Sequence, residues 1–316
     1  MSMKKLSIII PVFNEKNNIS KLASLITQAL QSLNIGYEVI WVDDGSVDGS
    51  HYILRQIQQS YDHHKVIYFS RNYGQTAAMA AGIKAASGEI IAPLDADLQN
   101  DPADIPYMLN IYKQGYDVVS GWRKSRKDGA IHMVFSYVAN RIISHITGIS
   151  LHDFGCSLKL YNAKKLKKIC LHGEMHRFIP ALMSRYGIKI IEVPVQSHAR
   201  VYGKSKYSLN RTFRVLLDLG TIMLHTKFMD KPLYFFGYIS ICAFALAFAL
   251  ALSATLLFQN QHVVAITMFL LAMCIGIIST IWLGFGFLAE MLIMLRLRTS
   301  TENTYCIEDI AANIMK

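Results

Sequence analysis

Apolar runs of strand length alternate with amphipathic segments along the first hundred residues. Leu6-Ser7-Ile8-Ile9-Ile10 reads as a buried strand that passes into the polar turn Pro11-Val12-Phe13-Asn14-Glu15. From Ile19 to Leu33 the period changes to that of a helix, with Leu22, Leu25, Ile26, Ala29 and Leu30 on one face. Tyr37 to Val42 is a second buried strand ending in Asp43-Asp44-Gly45-Ser46. Val66-Ile67-Tyr68-Phe69, a helix from Thr76 to Ala86, and a strand over Ile90 to Leu94 follow. Strand and helix in alternation predict a parallel sheet with helices on its faces. Polar residues at successive strand carboxyl ends then share one crevice, which gathers Glu15, Asp43, Asp44, Asp95 and Asp97 around a single site.

The pattern changes again near the end of the chain. Leu233 to Phe258 and Val263 to Ala289 are uncharged apolar runs, each long enough to cross about 30 Å of hydrocarbon. Two such runs in tandem favour transmembrane helices over buried core helices. Lys227 and Lys231 precede the first run and Arg296 and Arg298 follow the second. The uncharged connector Gln259-Asn260-Gln261-His262 lies between them, so the positive-inside rule places both termini in the cytoplasm. Leu209 to Phe228 alternates Leu209, Phe213, Leu216, Leu217 and Leu224 with Arg211, Arg214, Asp218 and His225, as an interfacial helix does, although a helix packed on the globular part has the same pattern. The Ile8-Ile9-Ile10 run is too short for a signal peptide and enters the Pro11 turn directly.

The most informative chemistry is at the end of the fourth strand. In Asp95-Ala96-Asp97-Leu98-Gln99, two carboxylates and an amide stand two residues apart, so a persisting strand projects all three to one side. Oxygen groups of this kind suit Mg²⁺ or Mn²⁺, which completes its shell with water and substrate phosphate. A solvated strand-end loop is the reading that the Asp-x-Asp pattern alone leaves open.

The Pro11 to Glu15 turn, the Asp43 to Ser46 turn and the Asp95 to Gln99 end together resemble the nucleotide-sugar half of family 2 glycosyltransferases. Ser70-Arg71-Asn72-Tyr73-Gly74-Gln75, His176-Arg177-Phe178-Ile179-Pro180, His198-Ala199-Arg200 and Gly203-Lys204-Ser205-Lys206-Tyr207 narrow the resemblance to the polyprenyl-phosphate branch, across roughly Leu6 to Leu295. That branch includes dolichyl-phosphate mannose synthases and bacterial undecaprenyl-phosphate sugar transferases. Phe13 stands where Tyr is frequent, and the ring is retained.

The resemblance implies an α/β GT-A, Rossmann-like catalytic domain over residues 1–207. It further implies a juxtamembrane segment over 208–232, transmembrane helices over 233–258 and 263–289, and a cytoplasmic tail over 290–316. Pro11, Phe13, Glu15, Asp43, Asp44 and Arg71 become nucleotide-side residues, and Arg200, Ser205 and Lys206 a closing segment near the diphosphate. Asp97 and Gln99, with Asp95, become the holders of Mg²⁺ or Mn²⁺. Arg123 and Arg141 match acceptor-phosphate arginines and stand with Asp95 and Asp97 as catalytic candidates. Asp153 is expected to position the acceptor or Arg141, and Cys156 to be buried rather than reactive.

Charge and cysteine content narrow the class further. The net charge is +10 and the hydrophobic fraction 52%. The whole excess lies before Pro232, because Arg296, Arg298 and Lys316 are outnumbered afterwards by Glu290, Glu302, Glu308 and Asp309. A basic globular part facing anionic lipid fits this better than nucleic-acid binding, for which no motif is present. Five cysteines form no Cys-x-x-Cys, so neither a zinc site nor a disulfide framework follows.

The expected reaction is inverting transfer from a nucleotide sugar to polyprenyl phosphate at the cytoplasmic face of the inner membrane. A UDP donor carrying glucose or 4-formamido-arabinose is favoured over GDP-mannose. Partners beyond donor, acceptor and bilayer, namely a homo-oligomer and a downstream flippase, stay open. A processive synthase lacks its Gln-x-x-Arg-Trp signature here, and a non-catalytic scaffold is disfavoured by intact acidic motifs.

Overall fold

A computed structural model of the 316-residue chain describes residues 5–124 except 32 and 34, then 141, 143–145, 148–198 except 172 and 174, 220, 228, and 231–299 except 260. The chain divides into two compact units, Met1–Ile222 and Met223–Lys316.

The first unit is built on a seven-stranded mixed sheet among the described residues, in the order β3-β2-β1-β4-β6-β5-β7. Its strands are β1 Leu6–Val12, β2 Tyr37–Asp43, β3 His64–Tyr68, β4 Ile90–Pro93, β5 Val118–Trp122, β6 Lys159–Asn162 and β7 Ile190–Pro194. Only β6 runs against its neighbours β4 and β5. The central β1 is buried almost throughout, as expected for a strand covered on both faces. Helix α1, Lys16–Leu30, lays Ile19, Leu22, Ala23, Ile26 and Leu30 on one face of the sheet. Helix α3, Gln75–Ala85, approaches β1 so closely that a Cβ on Gly82 would stand 2.3 Å from Ile9 Cγ2. Helices α2, Ser50–Ser60, and α4, Ile105–Tyr112, complete the layers, with the short α5 at Ala163–Leu166 and α6 at Ile179–Met183.

Some expected elements end early. The first helix stops at Leu30, short of Leu33. The fourth strand stops at Pro93: its pairing with β6 ends at Ile91 and the proline has no N–H to extend it, while Leu94 N still bonds to β1. Period-two projection therefore does not reach Asp95, Asp97 and Gln99. A turn with Leu98 at φ +61° presents them instead.

The second unit contains α7, Pro232–Leu257, and α8, His262–Thr299, both long and apolar enough to cross a membrane. Residues buried between them are small and recur every seven positions: Ser240, Ala247 and Ala254 on α7, and Ala265, Ala272 and Ser279 on α8. Small side chains let two antiparallel helices approach closely. The serines exchange bonds, Ser240 Oγ to Ser279 O at 2.9 Å and Ser279 Oγ to Ser240 O at 2.7 Å, so neither hydroxyl is left unsatisfied. The outward faces carry exposed Phe244, Phe248, Leu271 and Phe285. Helix α8 extends ten residues beyond the expected Ala289. Glu, Met, Leu and Arg all favour helix, and no Gly or Pro follows Ala289 to stop it.

Candidate active site

The register aligns the carboxyl ends of the first two strands, Val12 opposite Asp43, while Leu94 N donates to Ile9 O at 2.9 Å. The turns after β1, β2 and β4 thus meet at one edge, beside the switch point where β1 lies between β2 and β4. Among the described residues, the two non-glycine residues with positive φ are Asn14, at +57°, and Leu98. Both lie at this edge, where locally unfavourable backbone marks a constrained site.

Backbone amides and short polar side chains stitch the β1 and β2 turns together. Asn14 N donates to Ser46 Oγ at 2.9 Å, and Asn14 Oδ1 accepts from Val47 N at 2.9 Å. Asp43 accepts from Ser46 N at 3.0 Å. Asp44 is buried and accepts from Tyr73 N and Gly74 N, which fastens the 70–74 loop over the turn. Under that loop Gly45 sits at φ +71°, where a Cβ would lie 2.4 Å from the Arg71 carbonyl carbon. Arg71 itself is exposed, with its guanidinium carbon 4.6 Å from the Tyr73 ring centre. Glu15 accepts from Asn18 Nδ2 at 2.6 Å, while Pro11 and Phe13 are half-buried.

The two acidic residues after β4 are close enough to feel each other. Burial, reinforced by the Asp97 charge, pushes the Asp95 carboxyl up, while a Ser157 hydrogen bond and the Arg123 and Arg177 charges act the other way. Gln75 Nε2 donates to Asp95 Oδ1 at 2.9 Å. Asp97 is buried and accepts from Gln99 N at 3.1 Å. Among the described residues no three His, Cys, Asp or Glu side chains converge as a metal cluster. A carboxylate pair that raises one of its own members nonetheless fits a divalent ion, which relieves the repulsion and needs few protein ligands when a diphosphate supplies the rest.

Across the sheet, Arg123 follows β5 and is gripped by buried Asp153 through Nε at 2.8 Å and Nη2 at 3.0 Å. Burial opposes its charge, but the Asp153 carboxylate more than compensates and holds the guanidinium firmly ionised. Asp153 is in turn set by Glu192 of β7, which accepts from Asp153 N at 2.9 Å and from His152 N at 3.0 Å. His152 stacks on Trp122 at 4.6 Å between ring centres. Gly121, two residues before Arg123, packs so tightly that a Cβ would meet Leu158 O at 2.8 Å.

The expected residues divide as follows. Asp43, Asp44, Asp95, Asp97, Gln99 and Glu15 share the edge, and Arg123 acts electrostatically on Asp95. Asp153 holds Arg123, and Arg141 is exposed. Arg200, Ser205 and Lys206, with most of 208–232 and the tail beyond 299, lie outside the described residues. His176 Nδ1 is 2.7 Å from Thr76 Oγ1, and His198 Nε2 is 3.1 Å from Asp101 Oδ2. Cys156 is buried and burial pushes its thiol up, as expected of an inert cysteine. Sequence reasoning missed Glu192, Ser157, Asn100 and Lys159. The one signal for Lys159 was a lone charge inside the apolar run Leu158-Lys159-Leu160.

Residues 7–170 match the family model described as Glycosyl transferase family 2. Dodecaprenyl-phosphate galacturonate synthase from Rhizobium johnstonii is 38% identical over 313 residues, covering 97% of this chain and 93% of that protein. Among solved structures, glucosyl-3-phosphoglycerate synthase from Mycobacterium tuberculosis with Mn²⁺, UDP-glucose and phosphoglyceric acid aligns with a TM-score of 0.55 at 15% identity, over 70% of this chain and 80% of that one. Its complex with UDP gives 0.53 at 16% identity, over 70% and 80%. At such identity the likeness is one of fold. The family model spans more than half of the chain and the relative nearly all of it, and together they make this chain a glycosyltransferase of GT-A fold belonging to family 2.

Proposed function

We propose that the chain transfers one sugar, with inversion, from a nucleotide diphosphate sugar to a polyprenyl phosphate. The observation that carries this reading is the Asp95/Asp97 pair standing within electrostatic reach of the Asp153-gripped Arg123. Carboxylates suited to a cation and a cation suited to phosphate are thereby close enough to interact. The near full-length likeness to a dodecaprenyl-phosphate galacturonate synthase supports a polyprenyl-phosphate acceptor.

An acceptor monoester with second pKa about 6 is largely ionised at neutral pH, so its oxygen attacks the anomeric carbon without a strong general base. The bond from that carbon to the diphosphate breaks, and the nucleoside diphosphate leaves with the electron pair. Asp97 and Gln99, with Asp95, are the residues to hold Mg²⁺ or Mn²⁺, which supplies charge stabilisation to the departing diphosphate. Pro11, Phe13, Glu15 and Asp43 hold the nucleotide, while Asp44 and Arg71 shape the 70–74 loop beside it. Arg123 has three N–H directions beyond the two spent on Asp153, and offers them with Arg141 to the acceptor phosphate. Arg200, Ser205 and Lys206 close over the diphosphate.

The donor is read as a UDP sugar bearing glucose or 4-formamido-arabinose, and the relative adds galacturonate to that set. The α7/α8 hairpin spans the cytoplasmic membrane twice with the catalytic unit and both termini inside. Exposed Thr255, Thr267 and Thr280 and half-buried Ser253 return their hydroxyls to carbonyls of their own helix, which supports a hydrocarbon setting. The test offers the full chain in detergent a panel of UDP sugars and GDP-mannose with undecaprenyl phosphate. A lipid-linked product from a UDP sugar is expected, and product from GDP-mannose alone would replace the donor assignment.

A further inference from the structure

Among the described residues, Lys159 is the one lysine or arginine that is buried, at 3% exposure. A buried ammonium stays charged only where fixed oxygens replace its water. Here the oxygens are main-chain carbonyls. Nζ donates to Phe154 O at 3.1 Å and to Cys156 O. Burial pulls the Lys159 pKa down, while the Asp153 and Asp95 charges favour its ionised form and Arg123 opposes it.

Lys159 opens β6 opposite Ser120 of β5, so the ladder fixes its stem and the preceding loop folds back over the ammonium. Both ends of that loop reach the site. Asp153 grips Arg123 through two donors. At the other end Ser157 lies close enough to Asp95 to favour its ionised carboxyl, and its hydroxyl accepts from Asn100 Nδ2 at 2.6 Å.

We propose that Lys159 is a positioning residue whose ammonium gathers the Asp153–Ser157 loop into one clamp, joining the Arg123 side of the site to the Asp95/Asp97 side. The inference rests on the transferase reading, in which those sides hold acceptor and donor. An apolar residue of similar volume fills the same space but leaves two buried carbonyls unpaired and lets the clamp loosen.

The test compares full-length wild type, Lys159→Met, Lys159→Arg and Ser157→Ala in detergent. It reads UDP affinity with Mn²⁺ by calorimetry, kcat and KM with undecaprenyl phosphate, and thermal unfolding. Lys159→Met is expected to lose about thirtyfold or more in kcat/KM for the acceptor while UDP affinity stays within about threefold, and Lys159→Arg to recover about tenfold of that loss. Ser157→Ala is expected to lose about fivefold or more in kcat with UDP affinity kept. Acceptor kinetics of Lys159→Met within about threefold of wild type, or UDP affinity and acceptor use falling in parallel, overturn the proposal. If Lys159→Met shows no cooperative unfolding, Ser157→Ala decides, and unchanged kinetics there overturn it. A wild type that transfers to no polyprenyl phosphate overturns the transferase reading and this inference with it, an outcome distinct from an active wild type with an equally active Lys159→Met.

Discussion

Arg123 and Asp153 form a two-point pair, Nε to Oδ2 at 2.8 Å and Nη2 to Oδ1 at 3.0 Å, with the arginine side chain 13% and the aspartate 4% exposed. A pair so enclosed sets the plane of the guanidinium, and with it the direction of its remaining N–H donors. Asp153→Asn keeps the shape but removes the charge. It is expected to destabilise the fold by about 3 kcal/mol, since it leaves a buried cation uncompensated. It is also expected to raise the acceptor KM while UDP binding persists. Arg123→Lys is expected to retain only part of the acceptor use, because an ammonium lacks the fork. Steady-state kinetics beside UDP calorimetry check both variants, and parallel loss of nucleotide affinity would assign Arg123 to the donor or the fold.

Gly45 lies under the 70–74 loop with φ +71° and no room for a Cβ. Gly45→Ala must both strain the backbone and displace Arg71, at a combined cost above about 1 kcal/mol. The expected result is weaker UDP binding with the acceptor KM little changed. Calorimetry reads the first and kinetics the second. Wild-type UDP affinity in this variant would detach the loop from the nucleotide.

Two buried groups predict how stability depends on pH. His64 is buried, and its Nδ1 accepts from Trp41 Nε1 at 3.1 Å. Burial, with His63 beside it, pulls its pKa from 6.5 down to about 4. Burial pushes Glu38 up, but hydrogen bonds from Lys65, Ser7 and Ser87 outweigh it and hold the carboxyl at about 2 against an ordinary 4.5. In both cases the unfolded chain takes the proton first, so the stabilisation is complete above the ordinary pKa and is lost as pH falls. The His64 share, about 3 kcal/mol, fades between pH 6.5 and 4, and a Glu38 share, reduced by solvent screening of the exposed Lys65, fades between 4.5 and 2. Thermal unfolding across this range should decline in two limbs, with His64→Gln removing the upper one. Constant stability from pH 7 to 4 would contradict this.

The first half of the sheet was legible in the sequence because its strands are continuous apolar runs. β1, β2 and β4 each carry several consecutive buried residues and end in polar turns. β5 and β6 were not legible. Ser120 and Gly121 break the first and Lys159 opens the second, so four- and five-residue strands lost their signal. The acidic edge was legible because its motifs are contiguous. The Glu192, Asp153 and Arg123 chain was not, since its members stand 30 and 39 residues apart and meet only through the ladder of β5 and β7. The seven-residue spacing of small residues in α7 and α8 was hidden by the uniform hydrophobicity around it.

Removal of the divalent ion tests the assignment of the acidic pair. Chelation is expected to abolish turnover, and Asp97→Ala to remove about 3 kcal/mol of transition-state stabilisation, comparable to loss of a key electrostatic group. Asp97→Ala should also weaken Mn²⁺-dependent UDP binding, a readout independent of turnover. Full activity in excess EDTA would take the ion out of the reaction.

The acceptor is the point on which the reading stands. The most direct measurement offers the purified full chain a radiolabelled UDP sugar it accepts, with undecaprenyl phosphate in one arm and undecaprenol in the other, and counts label in the lipid phase. If Arg123 and Arg141 take an already ionised phosphate and no strong base is needed, as proposed, label should enter lipid only with the phosphate, and should fall sharply in Arg123→Ala. Equal labelling of the alcohol, or release of free sugar with no labelled lipid in either arm, would contradict transfer to a polyprenyl phosphate.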